Sequence, residues 1–396
     1  MAAISSSQGS SLADRFSGRA NSVGFLRLAM ALAVVASHSQ PLGFNVIDPG
    51  DYRTGHQTHL GTVAVYGFFV LSGFLITRSA TRTRVGRYAW HRALRILPGL
   101  WVCLLLIAIV AGPLWSLHLH HSISAYWGSH TGPLSYLKHN VGGFLGQQGL
   151  AGLVLTRTQW GSLVNGSLWT LTYELFCYIG VALLAVTGVL KRARWVVPAL
   201  AVVCLLYIVH GYLTVGPWRG PFPGPAVSIP VINDFSTTDA VPLALCFLLG
   251  ASAQMYASRV PISNLLAGIS LVLFGGSLLF GGFFLLGVPA FAYLVLWLAV
   301  RLPTPLHRVG REHDFSYGVY IYAWPVQQTL TMLHLNRWGY LPYLLLSVVG
   351  TFCFAIPSWF AVERPALRLK NWTPRRAAAS GSPAESAPKL ETVESV

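Results

Sequence analysis

Two side chains that could do chemistry share one apolar segment, residues 23–39, with ten residues between them: Arg27 and His38. On a helix that rises ~1.5 Å per residue they are about 16 Å apart, half of a bilayer core. An ionisable group inside a membrane costs ~2.5–3.5 kcal/mol on insertion scales, so both should face a bundle interior or a water-filled cavity. An unperturbed imidazole titrates near working pH, which makes His38 a candidate general base. The alternative is that Arg27 reaches a lipid phosphate and His38 only hydrogen-bonds a neighbouring helix.

A second pair of cations, Arg92 and Arg95, lies at the start of another apolar run, directly before Ile-Leu-Pro. Their three-residue spacing places both on one helix face, where two guanidiniums can hold a phosphate through bidentate contacts. We therefore interpret this pair as functional. Anchoring at the inner side of the membrane is the preferred interpretation for the basic residues before it, which are Arg78, Arg82, Arg84 and Arg87.

One acidic side chain, Glu174, lies well inside an apolar run. A carboxylate in that position needs a partner, and we predict that Arg27 or His38 supplies it. A contact with His38 would raise the basicity of the imidazole and fix its tautomer, as general-base catalysis requires. A contact with Arg27 could instead be a structural ion pair that only fixes the arrangement of helices.

Polar and aromatic residues of three apolar runs are candidates for the wall of a passage. Ser72 precedes Gly73 inside one run, where the spacing does not match a serine-nucleophile motif and small residues usually allow close helix contact. Ser72 is nevertheless a candidate for lining a donor passage. The candidates for substrate-lining residues in the other two runs are Trp169, Tyr173, Ser316 and Tyr317.

The composition is that of a multi-spanning membrane protein, because 54% of the 396 residues are hydrophobic, only 10% are charged and the mean hydropathy is +0.55. The net charge of +15 does not indicate a nucleic-acid partner, since the basic residues are dispersed between apolar runs. The five cysteines lie in apolar runs without CxxC spacing, which predicts neither disulfides nor zinc. The histidines at 118–121 have no acidic or cysteine ligands beside them, so we predict no metal site.

Ten apolar runs predict an all-α, polytopic bundle of about ten transmembrane helices. A break at Gly281-Gly282 divides the longest run, because one crossing helix uses ~20 residues. The long segments 114–167 and 214–239 are expected to form ordered caps. The predicted spans are 23–39, 62–79, 95–113, 168–190, 195–213, 240–257, 263–281, 283–301, 314–334 and 339–361.

Most of the 27 basic residues lie on the side of the bundle that carries both ends of the chain, so the positive-inside rule places both termini in the cytoplasm. We expect three parts: a polar cytoplasmic N-terminus at 1–20, a membrane domain at 21–365, and a disordered cytoplasmic tail at 366–396.

Several motifs, in their order along the chain, resemble those of the integral-membrane acyltransferase 3 family. They are FLRLAMALAVVASHS with Arg27 and His38, GFFVLSGFLIT, Arg92-Ala-Leu-Arg95-Ile-Leu-Pro98, NGSLWTLTYELFCY with Glu174, SYGVYIYAWPVQQ and Val362-Glu363-Arg364-Pro365. The resemblance covers residues 21–365. It implies a ten-helix domain that transfers an acyl group, commonly acetyl, from coenzyme A to a hydroxyl of a sugar, surface glycan or secondary metabolite.

Carried over by motif, the resemblance makes His38 the catalytic base and Arg27 its essential partner, with Glu174 a site residue of open role. It also implies that Arg92 and Arg95 contact the phosphates of coenzyme A. No permanently bound cofactor is implied, and acyl-CoA is the donor substrate. Three positions depart from the family pattern: Gly24 and Tyr66 replace a common Asp, and Ala323 replaces a common His.

Two other interpretations remain open on sequence alone. The chain could be a transporter or flippase that uses Arg27, His38 and Glu174 as a proton relay, although the two halves show no internal repeat. It could also be a structural protein whose buried charges only fix helix positions. The acceptor is equally open among polysaccharide, glycolipid and macrolide-like natural product, and we expect a multi-pass protein of a bacterial cell membrane.

Overall fold

The computed structural model describes residues 11–16, 20–225, 227–229 and 235–371, which form the predicted all-α bundle. Two short strands, Ser228–Ile229 and Phe235–Ser236, pair antiparallel. Three π-helical segments, Leu106–Ala111, Phe283–Gly287 and Trp359–Glu363, are continuous with neighbouring helices. The α-helices of the described residues are α1 Leu12–Arg15, α2 Val23–Phe44, α3 Leu60–Arg82, α4 Val85–Leu105, α5 Gly112–His120, α6 Ser124–Gly128, α7 Pro133–Asn140, α8 Trp169–Val186, α9 Val189–Arg192, α10 Val196–Thr214, α11 Thr237–Met255, α12 Asn264–Phe280, α13 Val288–Arg301, α14 Ser316–Met332, α15 Tyr340–Ser358 and α16 Arg364–Arg368.

Each predicted span corresponds to a helix. Within the described residues, eight helices are long and apolar enough to cross a membrane. The spans predicted at 263–281 and 314–334 form shorter helices of 17 residues each, α12 and α14. Almost every residue of α14 is buried, so this helix is the centre of the bundle and packs against α2 and α15.

The third and the last spans are longer than predicted. The third begins at Val85 instead of 95, because Tyr88 faces inward and donates a hydrogen bond to the carbonyl of Tyr178 (3.1 Å) while Arg84 and Arg87 are exposed. The last continues to Asn371, where the Trp90 indole donates to the Leu369 carbonyl (3.0 Å). The first residues of the predicted tail are therefore helical, and residues 372–396 lie outside the described part.

The predicted break between α12 and α13 is present at Gly281 and Gly282, which have φ values of +101° and +75°. Both are in the left-handed region that favours glycine. Trp218 packs against this turn, and its carbonyl accepts a hydrogen bond from the Gly282 amide (2.7 Å). The segment 114–167 forms the expected ordered cap, in which Leu150 and Val164 are fully buried.

Helices α3 and α11 cross in direct backbone contact through two glycines. A Cβ atom at Gly73 would lie 1.9 Å from the Phe247 carbonyl oxygen, and one at Gly250 would lie 2.0 Å from the Val70 carbonyl oxygen. Small residues allow this close approach where lipid supplies no hydrophobic drive between helices. The crossing holds α3, which carries Ser72, against the inner face of the bundle.

Gly73→Ala should force α3 and α11 apart and lower the free energy of unfolding by ~1–3 kcal/mol, the usual cost of overpacking. Denaturation of the detergent-solubilised protein measures this cost. Gly268→Ala on α12 is the matched control, because nothing lies within 4 Å of its added methyl group. Equal stability of the two variants would contradict the crossing.

Candidate active site

The ten candidate site residues line a row of three adjoining cavities along α2. The histidine cavity, of about 370 Å³, is lined by His38, Trp169 and Tyr173 among others. The arginine cavity, of about 70 Å³, lies at the other end of the row. The central cavity, of about 60 Å³, lies between them. The remaining candidates line the arginine or central cavities: Arg27, Ser72, Arg92, Arg95, Glu174, Ser316 and Tyr317.

Shared wall residues join the cavities into a row. The central cavity shares Arg27, Ser72 and Glu174 with the arginine cavity. It shares Val65 and Tyr320 with the histidine cavity. The side chains of Val65 and Tyr320 therefore separate His38 from the central cavity. The narrow middle of the row admits an unbranched chain more readily than a bulky head group.

Asp314 is the acidic partner of Arg27, and sequence reasoning missed it. One of its carboxylate oxygens accepts from both Arg27 and Arg95, each at 2.7 Å. The other accepts from the amide and hydroxyl of Ser316, at 3.2 and 2.5 Å. Burial would raise the pKa of Asp314, but the two guanidiniums and Ser316 outweigh burial and lower the pKa to about 2.

The predicted partners of Glu174 are wrong. Its carboxylate accepts hydrogen bonds from the hydroxyls of Ser72 (3.1 Å) and Tyr178. Within the described residues, the ion pair of Arg27 is with Asp314, and His38 forms none. Glu174 still shares both the arginine and the central cavity with Arg27, so its charge faces the row.

Arg92 and Arg95 line one cavity, as their spacing predicts, but they are bound differently. Arg95 is held by Asp314, and its guanidinium lies 5.9 Å from the centre of the Tyr317 ring. Arg92 lies 5.9 Å from the centre of the Tyr178 ring. Its buried Nε has no hydrogen-bond partner, and among the described residues Arg92 has no ion pair. Arg92 is thus the guanidinium best placed to accept an external anion.

His38 contacts an aromatic wall instead of a carboxylate. Its ring meets Trp324 edge to face, with 4.9 Å between ring centres, and its buried Nδ1 has no hydrogen-bond partner among the described residues. The Trp324 indole donates to the Leu163 carbonyl (3.0 Å). A Cβ at Gly166 would lie 2.6 Å from the same indole, so Gly166 makes room for it.

A second polar group beside His38 also escaped sequence reasoning. Asp48 accepts from the Ser37 hydroxyl (2.8 Å) and lies 3.5 Å from His59 Nδ1. Burial raises the pKa of the Asp48 carboxyl. Asp48 and His59 line the histidine cavity. Asp48 lies in the loop that joins α2 to α3, and His59 is the last residue of that loop. No periodic sequence pattern marks either residue as part of a site.

The departures from the family pattern have structural counterparts. A Cβ at Gly24 would lie 2.4 Å from the Val309 carbonyl oxygen, so an aspartate does not fit there. In this chain Asp314 supplies the acid to Arg27 instead. Tyr66 is buried and stacks on Phe283, with 6.2 Å between ring centres. Ala323 is fully buried on α14, the helix that carries Trp324.

The fold and the cavities define a polytopic helical membrane protein with a line of charged side chains through its interior. A family model described as an acyltransferase domain matches residues 21–360. The chain belongs to this family, the acyltransferase 3 family, and is a membrane acyltransferase. Family membership favours the enzyme over the transporter and structural interpretations.

Two curated relatives agree with this assignment. The chain is 29% identical over 367 residues to a protein named O-acetyl transferase from Shigella phage Sf6, covering 87% of this chain and 96% of that protein. It is 27% identical over 395 residues to Nodulation protein 10 of Rhizobium leguminosarum bv. viciae, covering 90% and 96%. No solved structure matches the chain.

Asp314→Asn should lower the free energy of unfolding by ~3–5 kcal/mol, because it leaves two largely buried guanidiniums without their counter-charge. Denaturation in detergent, followed by tryptophan fluorescence, measures the change. Asp51→Asn is the control: the Asp51–His56 pair lies at the surface, where such pairs contribute ~0–1 kcal/mol. A loss for Asp314→Asn no larger than the control's would show that the Arg27–Asp314–Arg95 cluster does not stabilise the fold.

Proposed function

We propose that the protein is an acyl-CoA-dependent O-acyltransferase, and that its usual donor is acetyl-CoA. The acceptor hydroxyl belongs to a carbohydrate, glycolipid or natural product such as a macrolide. The observation that carries the proposal is the row of cavities from Arg92 to His38. A pair of arginines at one end and an imidazole at the other, with a narrow cavity of about 60 Å³ between them, match a donor with a charged head, a slender arm and a reactive tip.

We infer a division of roles along the row. Arg92, with Arg95 beside it, contacts donor phosphates at the cytoplasmic end. The pantetheine arm passes Ser72 and Glu174 in the central cavity, and the thioester reaches the histidine cavity past Tyr320. Trp169 and Tyr173 line the acceptor side, whereas Ser316 and Tyr317 line the donor passage. Arg27 and Asp314 hold this passage open between the helices.

The reaction needs one base. His38 takes the proton of the acceptor hydroxyl as its oxygen attacks the thioester carbonyl. The new carbon–oxygen ester bond forms, the carbon–sulfur bond breaks, and the proton passes from the imidazolium to the departing thiolate. Positioned general-base catalysis contributes ~10²–10⁴-fold. Glu174 does not line the histidine cavity, and we assign it to the passage wall.

We infer the orientation in the membrane from the distribution of basic residues along the chain. Because most basic residues lie on the side of the termini, we place the protein in a cell membrane with both termini in the cytoplasm. Acyl-CoA then approaches from the cytoplasm and the acceptor from the outer face or the membrane. A bacterial cell membrane agrees with the sources of the two relatives, a phage of Shigella and the bacterium Rhizobium leguminosarum.

His38→Ala should reduce acyl transfer by ~10²–10⁴-fold while the protein stays folded in the membrane. The assay incubates purified protein with acetyl-CoA and a panel of glycans and macrolides, and mass spectrometry detects the acetylated product. His130→Ala, at an exposed position of the cap, is the matched control and should keep full activity. Undiminished product formation by His38→Ala would refute the mechanism.

Arg92→Ala should raise the KM for acetyl-CoA by ~10-fold or more, since a hydrogen bond to a charged group contributes ~1.5–3 kcal/mol. The KM for S-acetylpantetheine, which lacks the nucleotide phosphates, should not change. Arg87→Ala, on the exposed face of the same helix, is the control. Equal effects on both donors would show that Arg92 does not contact phosphate.

A further inference from the structure

The wall of the histidine cavity contains a carboxylate that the proposed mechanism does not use. Asp239 lies in the first turn of α11, directly after the strand Phe235–Ser236, and lines the cavity together with His38. Asp239 is half-buried, and among the described residues its carboxylate forms no ion pair. A carboxylate without a charged partner at the wall of a cavity is available to bind a ligand of opposite charge.

Aromatic rings form the wall beside Asp239. Phe235 stacks on Tyr173 with 5.0 Å between ring centres, and Trp169 meets Tyr173 edge to face at 5.5 Å. The Ser236 amide donates to the Tyr173 hydroxyl (3.0 Å), which ties the start of α11 to α8. The carboxylate and the three rings therefore line the same cavity.

The charges around the cavity have one sign. The lining residues include Asp48 and Asp239 but no lysine or arginine. Asp48 is already bound by Ser37 and lies beside His59. His38, which also lines the cavity, meets Trp324. Asp239 thus leaves an uncompensated negative charge next to aromatic faces, an environment that attracts organic cations.

We propose that the acceptor carries a protonated amine, which binds between Asp239 and the rings of Phe235, Tyr173 and Trp169. This inference rests on the proposed function, because it names the class of acceptor for the same cavity: a hydroxyl compound with a basic amine, such as an amino sugar. The ion pair also has a chemical consequence. An amine held in its protonated form has no lone pair to attack the thioester, so the acyl group goes to the hydroxyl that faces His38.

The test compares the cation choline with its neutral isostere, 3,3-dimethylbutan-1-ol, on the full-length protein in detergent. Calorimetry or quenching of tryptophan fluorescence gives the Kd of each. The wild type should bind choline at least tenfold more tightly than the isostere. Asp239→Asn should lose this preference and keep the affinity for the isostere, which shows that the cavity is still formed. Asp51→Asn removes an acidic side chain that does not line the cavity and should behave as the wild type.

Two results would overturn the inference: equal affinity of the wild type for choline and the isostere, or unchanged choline affinity in Asp239→Asn. Should Asp239→Asn not fold, Phe235→Leu tests the same site, because losing one ring of the cage should weaken choline severalfold and leave the isostere unchanged. His38→Ala separates the two proposals, since it should abolish acyl transfer and still bind choline. Acetylation of neutral acceptors without choline preference would remove this inference and leave the O-acyltransferase intact.

Discussion

The row of cavities at the candidate site depends on one cluster of ion pairs, in which Asp314 holds Arg27 and Arg95 at 2.7 Å each. These three residues come from α2, α4 and the turn before α14, so a single carboxylate joins three parts of the bundle. Two guanidiniums this close repel each other, and only a shared anion allows both to face one interior passage. Asp314 thus fixes the width of the passage and the direction of its charges at the same time.

The same cluster explains why Arg92 and Arg95 differ in spite of their common helix face. Arg95 forms an ion pair with Asp314. Arg92 instead lies over the Tyr178 ring, and its Nε has no hydrogen-bond partner. A site that binds an anion needs a cation that is not already neutralised. The structure supplies one free and one occupied guanidinium, so the arginine pair of the motif has two physical roles.

Local patterns made much of this architecture predictable. Ten apolar runs indicated ten helices, and the spacing of Arg27 and His38 along a helix follows from the helical rise alone. The partner of Arg27 could not be found this way, because Asp314 lies 287 positions away, at the first residue of the predicted span 314–334. A count of charges gave a signal: three arginines near the interior need more acid than Glu174. No sequence signal marked Asp48 or Asp239, because the surroundings of a loop residue and of a residue at a helix start depend on tertiary contacts.

The helical rod Val85–His120 connects the arginine cavity with the cap. It runs for 36 residues, from the end that carries Arg92 to the cap, and is therefore longer than a bilayer is thick. In its π-helical segment the carbonyl of Ala108 accepts a hydrogen bond from the Tyr126 hydroxyl of the cap (2.6 Å). This hydrogen bond joins the cap directly to the helix that carries Arg92, so the cap and the arginine cavity are built on one continuous element.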